Sequence, residues 1–227
     1  MMKNDLSFSM SQSITEECSE LVSSIAEVTL DSVLEDGLLK DIPIIASAIS
    51  VYKLGASLRE RHELMKLYYF VKSFNNGMQD EEQREKYILN FQNDQKIRNK
   101  ELAYLMVVLD KYINLDKPQM LAKIYLSYLN GEITWEEVMK YSEVIDRLLP
   151  GDVELLAVGM RENVNYKNID DGTLRLVALG LMVSFPDKTE YNNHTIAIAD
   201  GRNQNYMWTK FGETFVNILT KKGILNL

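Results

Sequence analysis

The side chains that could do chemistry in this chain are few: two histidines, one cysteine and several adjacent acidic pairs. His62 and His194 have no second histidine, cysteine or carboxylate at a spacing that suits a metal, so no metal ligands are assigned. Cys18 lacks a nearby basic residue or histidine to lower its thiol pKa, and it reads as a small buried residue rather than a nucleophile. The pairs Glu16/Glu17, Glu81/Glu82 and Glu136/Glu137 fall where helices should begin, and carboxylates there complement the helix dipole. The glycine patterns that cradle phosphate, GxGxxG and GxxxxGK[ST], are absent. The sequence therefore assigns no catalytic residue and no cofactor, and the chain reads as a non-enzyme.

One stretch is unusual for a surface helix. Asp41–Leu58, DIPIIASAISVYKLGASL, carries Asp41 as a possible cap and Pro43 in the first turn, where a missing N–H costs nothing. At 100° per residue, Ile44, Ile45, Ala48, Ile49, Val51, Tyr52, Gly55, Ala56 and Leu58 cover most of the circumference. Ala46, Ser47, Ser50, Lys53 and Ser57 fill the narrow remainder. A rod this apolar belongs either inside a bundle or against a membrane or a second copy. The uncharged run Ile42–Tyr52 is too short to span a bilayer, which takes about 20 apolar residues. Continued to Leu58 it would reach roughly 25 Å, with Lys53 inside it. The candidate membrane or oligomer helix is thus 42–58, with Ile44, Ile45, Ala46, Ser47, Ile49, Ser50, Lys53 and Ser57 as its defining residues.

The elements around it are mainly helical. A length of 227 residues, with 46% hydrophobic and 26% charged residues, can bury a real core. A net charge of −8 argues against nucleic acid as the main partner, and a single cysteine excludes an internal disulfide. The N-terminus has no apolar signal core, so a cytoplasmic location is expected. Residues 1–12 are polar and read as disordered. Ser13-x-x-Glu16 could open a helix carrying Leu21, Ile25 and Val28. The apolar rod then runs without a breaker into a helix that ends at Asn75-Asn76-Gly77, with glycine as the left-handed residue. Further helices are expected at 80–91, 95–113, 116–129, 134–149 and 153–160. Of their boundaries, Thr134/Glu137 is the clearest capping box and Asn130-Gly131 the clearest stop.

The pattern changes after Arg161, and a domain boundary is placed at 163. A helix over Thr173–Met182, strands at His194–Asp200 and Tyr206–Thr209 with a turn at Asp200-Gly201, and a helix over Phe211–Leu219 resemble a winged-helix tail. Its would-be recognition helix begins Asp170-Asp171 and carries only Arg175. Residues 168–227 hold six basic and six acidic groups, which does not favour phosphate.

The segments LEDGLLKDIPII (34–45), GEITWEEV (131–138), SEVIDRL (142–148), LGLM (179–182) and YMWTKFGETF (206–215) resemble a group of bacterial and prophage-encoded helical proteins similar to abortive-infection, or phage-defence, components. Ala46 stands where that pattern has glycine, and Tyr206-Met207-Trp208-Thr209 where it has Tyr-x-Leu-Thr. The resemblance implies a helical, membrane-prone first part, a winged tail and no catalytic residues.

The expected protein is therefore mainly α: a multi-helix bundle over 13–162, followed by a small winged-helix-like α+β domain over 163–227. The expected function is a non-enzymatic anti-phage effector that exposes 42–58 to the inner membrane when a partner, such as a phage-encoded trigger, acts on it. Self-association is compatible with this reading. The alternative is a soluble adaptor or transcriptional regulator working through the tail.

Overall fold

The computed structural model describes residues 2–15, 37–52, 57–78, 81–162, 171–186 and 204–221. The described residues are mainly helical, with one small sheet. In order they form α1 (Met2–Thr15), a 3-10 turn (Gly37–Asp41), α2 (Pro43–Tyr52), α3 (Leu58–Gly77), α4 (Glu81–Asn93), α5 (Gln95–Lys111), α6 (Asp116–Leu129), α7 (Trp135–Arg147), α8 (Pro150–Glu162), α9 (Asp171–Ala178), β1 (Met182–Pro186), β2 (Gln204–Trp208) and α10 (Lys210–Lys221). They fall into two compact units, Met1–Ser142 and Glu143–Leu227. The division lies inside α7 rather than at residue 163.

In the first unit the most extensive helix contact is α3 on α6, followed by α1 on α2 and α1 on α5. Phe74 is the hub of the α3–α6 seam. Its ring lies 6.4 Å from Phe70, 5.6 Å from Tyr87 and 6.1 Å from Tyr125. All four rings are buried, and aromatic groups bury large areas at low entropy cost.

Several local signals appear as the sequence predicts. Thr134 caps α7: the Glu137 N–H donates to Thr134 Oγ1 at 3.3 Å, and the Thr134 N–H donates to Glu137 Oε2 at 2.7 Å. Gly131 and Gly180 take positive φ (73° and 75°) and end α6 and α9, a conformation glycine adopts without a Cβ clash.

Other expectations fail for identifiable reasons. Residues 2–15 are helical rather than disordered, because Leu6, Met10 and Ile14, spaced four apart, are all buried. Ser13 lies inside that helix and does not cap a new one. Gly77 is not left-handed either. The helix continues through it to Met78, and a Cβ at 77 would collide with Leu126 Cδ1, so glycine there permits close approach of α6. The helix features expected over 16–36, including Cys18, lie outside the described residues.

The second unit has α9, an antiparallel pair and α10. β1 pairs with β2 in the register Met182–Trp208 to Pro186–Gln204. The first strand of this pair is 182–186, where the sequence predicts no strand and a helix reaching Met182. The strand expected at His194–Asp200 and the Asp200-Gly201 turn lie outside the described residues. Thr209 belongs to no strand. It caps α10, accepting from the Gly212 N–H at 3.0 Å while its hydroxyl donates to the Gly180 carbonyl at 2.7 Å.

Candidate functional site

The apolar rod is shorter than its sequence pattern suggests. α2 is described over Pro43–Tyr52, and Ser57, in extended backbone, breaks the rod and starts α3 with a capping box. Its Oγ accepts from the Glu60 N–H at 3.3 Å, and its own N–H donates to Glu60 Oε2 at 3.0 Å. Residues 42–58 are therefore not one helix. Ser57 and Leu58 belong to the next element, and Lys53 lies outside the described residues. A helix of 10 residues is about 15 Å long, half a hydrocarbon core. Among the described residues no helix is long and apolar enough to cross a membrane.

Ile42, Ile44, Ile45 and Ala48 are buried, Ala46, Ser47 and Ile49 are half-buried, and Ser50 is exposed. The polar arc does not survive as a unit, because Ser47 is spent on α1.

Hydroxyl contacts add to the burial of Ile44, Ile45 and Ala48 in seating α2. Ser47 Oγ lies 2.6 Å from Ser9 Oγ. The Ile44 N–H, an unsatisfied donor of the first helical turn, donates to Ser13 Oγ at 2.9 Å. Asp41 was the expected cap; this donor instead finds a hydroxyl 31 residues earlier in the chain. Ser13 Oγ in turn donates to the Ser9 carbonyl at 2.9 Å. The Ser13 carbonyl accepts from Asn75 Nδ2 at 3.1 Å, which ties α3 to the same point. Ser13 thus joins three helices while fully buried. The contact orients helices and offers no acid, base or activated nucleophile.

A second buried polar cluster escaped the sequence reading. Glu101 on α5 is buried; its Oε2 accepts from Arg98 Nη1 at 2.6 Å and its Oε1 from Tyr128 OH at 2.7 Å. Tyr125 OH donates to Oε2 at 3.4 Å, Arg98 also reaches Tyr128 OH at 3.1 Å, and Trp135 covers Tyr128 with centroids 5.4 Å apart. Burial pushes the phenols of Tyr87, Tyr125 and Tyr128 above the ordinary value of 10.0, so they remain donors. The signal in the sequence was Arg98-x-x-Glu101 facing Tyr125-x-x-Tyr128, one helical turn apart on two helices. This cluster satisfies a buried carboxylate and ties α5 to α6.

In the second unit Arg175, the residue assigned to base reading in the DNA alternative, is committed elsewhere. Its Nη2 donates to Asp152 Oδ1 at 2.8 Å, and its Nε lies 3.1 Å from both carboxylate oxygens. Asp152 is fully buried and also accepts from the Leu149 N–H at 2.8 Å, capping α8. Among the described residues no group of three or more His, Cys, Asp or Glu side chains could hold a metal. Compared with known proteins, the chain matches no family model, no curated sequence and no solved structure.

Proposed function

We propose that this chain is a non-enzymatic anti-phage effector of the abortive-infection type, and that its working part is α2, held on α1 until a trigger frees it. The observation that carries this reading is the nature of the hold. The polar ties of this uncharged helix, Ser9–Ser47 and Ser13–Ile44, each contribute only about 0.5–1.5 kcal/mol, and the burial of Ile44, Ile45 and Ala48 that completes its seat is of a kind that lipid can replace. Freed, α2 is too short to cross a bilayer and would lie in the headgroup boundary with Ile44, Ile45 and Ile49 inserted. Oligomers of such helices would perturb the membrane without forming a single-helix span.

Weakening the hold should replace the trigger. In a dye-release assay on vesicles of bacterial lipids, the double variant Ser9→Ala/Ser13→Ala is expected to leak more than the unmodified protein. Adding Ile49→Asp should abolish the gain. A folded double variant that stays in the supernatant and releases no dye would overturn the proposal.

The second reading, an adaptor acting through the tail, draws on the outer face of the hairpin. Val183 and Met207 are cross-strand partners, 44% and 55% exposed, with Phe185 beside them at 40%. Such a face suits a protein partner better than DNA, since Arg175 is occupied. An adaptor would stay soluble through infection, whereas the effector would move to the membrane fraction.

A further inference from the structure

The first unit contains a cavity of about 600 Å³ bordered by α1, α2, α3 and α5, within the range of small-molecule sites. Its walls are Leu6, Ala48, Leu67, Ala103 and Met106. Val107 and Asp110, both exposed, mark the solvent side.

Ser7, Glu63 and Tyr104 also line this space, and a cation gives it a direction. Lys66 lines it, yet its side chain is 2% exposed. An ammonium has three donors. Among the described residues Glu63 Oε2 takes one at 2.7 Å and the Asp110 carbonyl a second at 2.9 Å, which leaves the third for an occupant. A buried lysine donor with an unfilled place, set in an apolar cavity, is the arrangement by which binding sites orient a ligand.

The charges decide what the occupant can be. Glu63 already neutralises Lys66, and Asp110 adds a carboxylate at the rim, so an anionic head would meet net negative charge. A cationic ammonium head has no lone pair to accept from the Lys66 N–H, so it cannot take that place. An uncharged acceptor, the carbonyl oxygen of an ester or amide, completes the third bond without a charge to desolvate.

We infer that this cavity binds an uncharged, mostly apolar small molecule, such as an acyl ester or acyl amide, whose carbonyl oxygen accepts from Lys66. Because Ala48 of α2 is one wall, the site belongs to the state with α2 seated, and its test, dye binding without any membrane, does not depend on the effector reading.

Nile red, a neutral apolar dye with a carbonyl acceptor, serves as the probe, and decanamide as the competitor. The unmodified chain should bind the dye saturably, with one site per chain, and decanamide should displace it. Lys66→Met should weaken binding about tenfold, the loss of one hydrogen bond to a charged donor. Ala103→Phe, which fills the cavity from a half-buried position on α5, should abolish binding while the melting temperature holds or rises. If Lys66→Met does not fold, Ala103→Phe alone decides. Dye binding that survives Ala103→Phe, or an equal affinity for the anionic dye anilinonaphthalene sulfonate, would overturn the inference.

Discussion

The two main helix seams of the first unit are built from different chemistry. Between α3 and α6 the contact is aromatic, with Phe74 in ring contact with Phe70, with Tyr125 and with Tyr87 of α4. It is reinforced nearby by a buried carboxylate shared among an arginine and two phenols. Between α1 and α2 the polar contacts are serine hydroxyls, and the helices approach over alanine and isoleucine. Ring burial is worth several kcal/mol per side chain, and a neutral hydrogen bond about one. The α1–α2 seam adds the burial of Ile44, Ile45 and Ala48 to its hydroxyls but holds no comparable ring cluster among the described residues, so under the proposed function it is the one expected to open first.

That contrast can be broken experimentally, and the largest effect should come from the aromatic seam. Phe74→Ala should cost about 3–5 kcal/mol and lower the cooperative transition of the whole unit, read by denaturant unfolding. Glu101→Ala should follow at about 3 kcal/mol, since it strands Arg98 and the Tyr128 hydroxyl in a buried place. Ser13→Ala should cost about 1–2 kcal/mol, with a local signature: hydrogen exchange at the Ile44 amide should accelerate well before that of α3. If exchange in α2 and α3 rises together, the seams are not independent.

Alkaline pH sharpens the same comparison. The Tyr87 and Tyr125 phenols titrate above 10.0 in the folded protein and near 10 when unfolded, so the unfolded state loses protons first. Their contribution is fully present below about pH 10 and falls away as pH rises beyond it. Tyr87→Phe should flatten that decline, and the α1–α2 seam should show no such dependence of its own. At the small end, Lys140→Ala removes an exposed i,i+4 pair with Glu136 and should leave the melting temperature unchanged.

What the sequence disclosed was local. The Thr134/Glu137 box and the Asn130-Gly131 stop each depend on residues a few positions apart, and both are present. What it concealed was long-range. Ser13 looked like a cap for its own neighbours and serves residue 44 instead. The serines of 7–13 made a buried helix look like a polar tail, because a hydroxyl facing a protein acceptor and one facing water are the same letter. The rod ended early because Ser57-x-x-Glu60, a capping box as plain as the one at Thr134, was not weighed against the apolar run before it. The hairpin's first strand was missed because Met182–Pro186 follows Gly180 directly.

Gly212 has a consequence for how this chain could change over generations. Any Cβ at that position would run into the Leu181 carbonyl oxygen, which is backbone and cannot swing aside. Gly131 and Gly180 have open space around them, so a residue tolerant of left-handed backbone, such as asparagine, could replace either at modest cost. In a saturation library, position 212 should therefore read as a single-letter site, closed even to alanine. The docking of α10 onto the start of β1 would then be the slowest-drifting part of the tail.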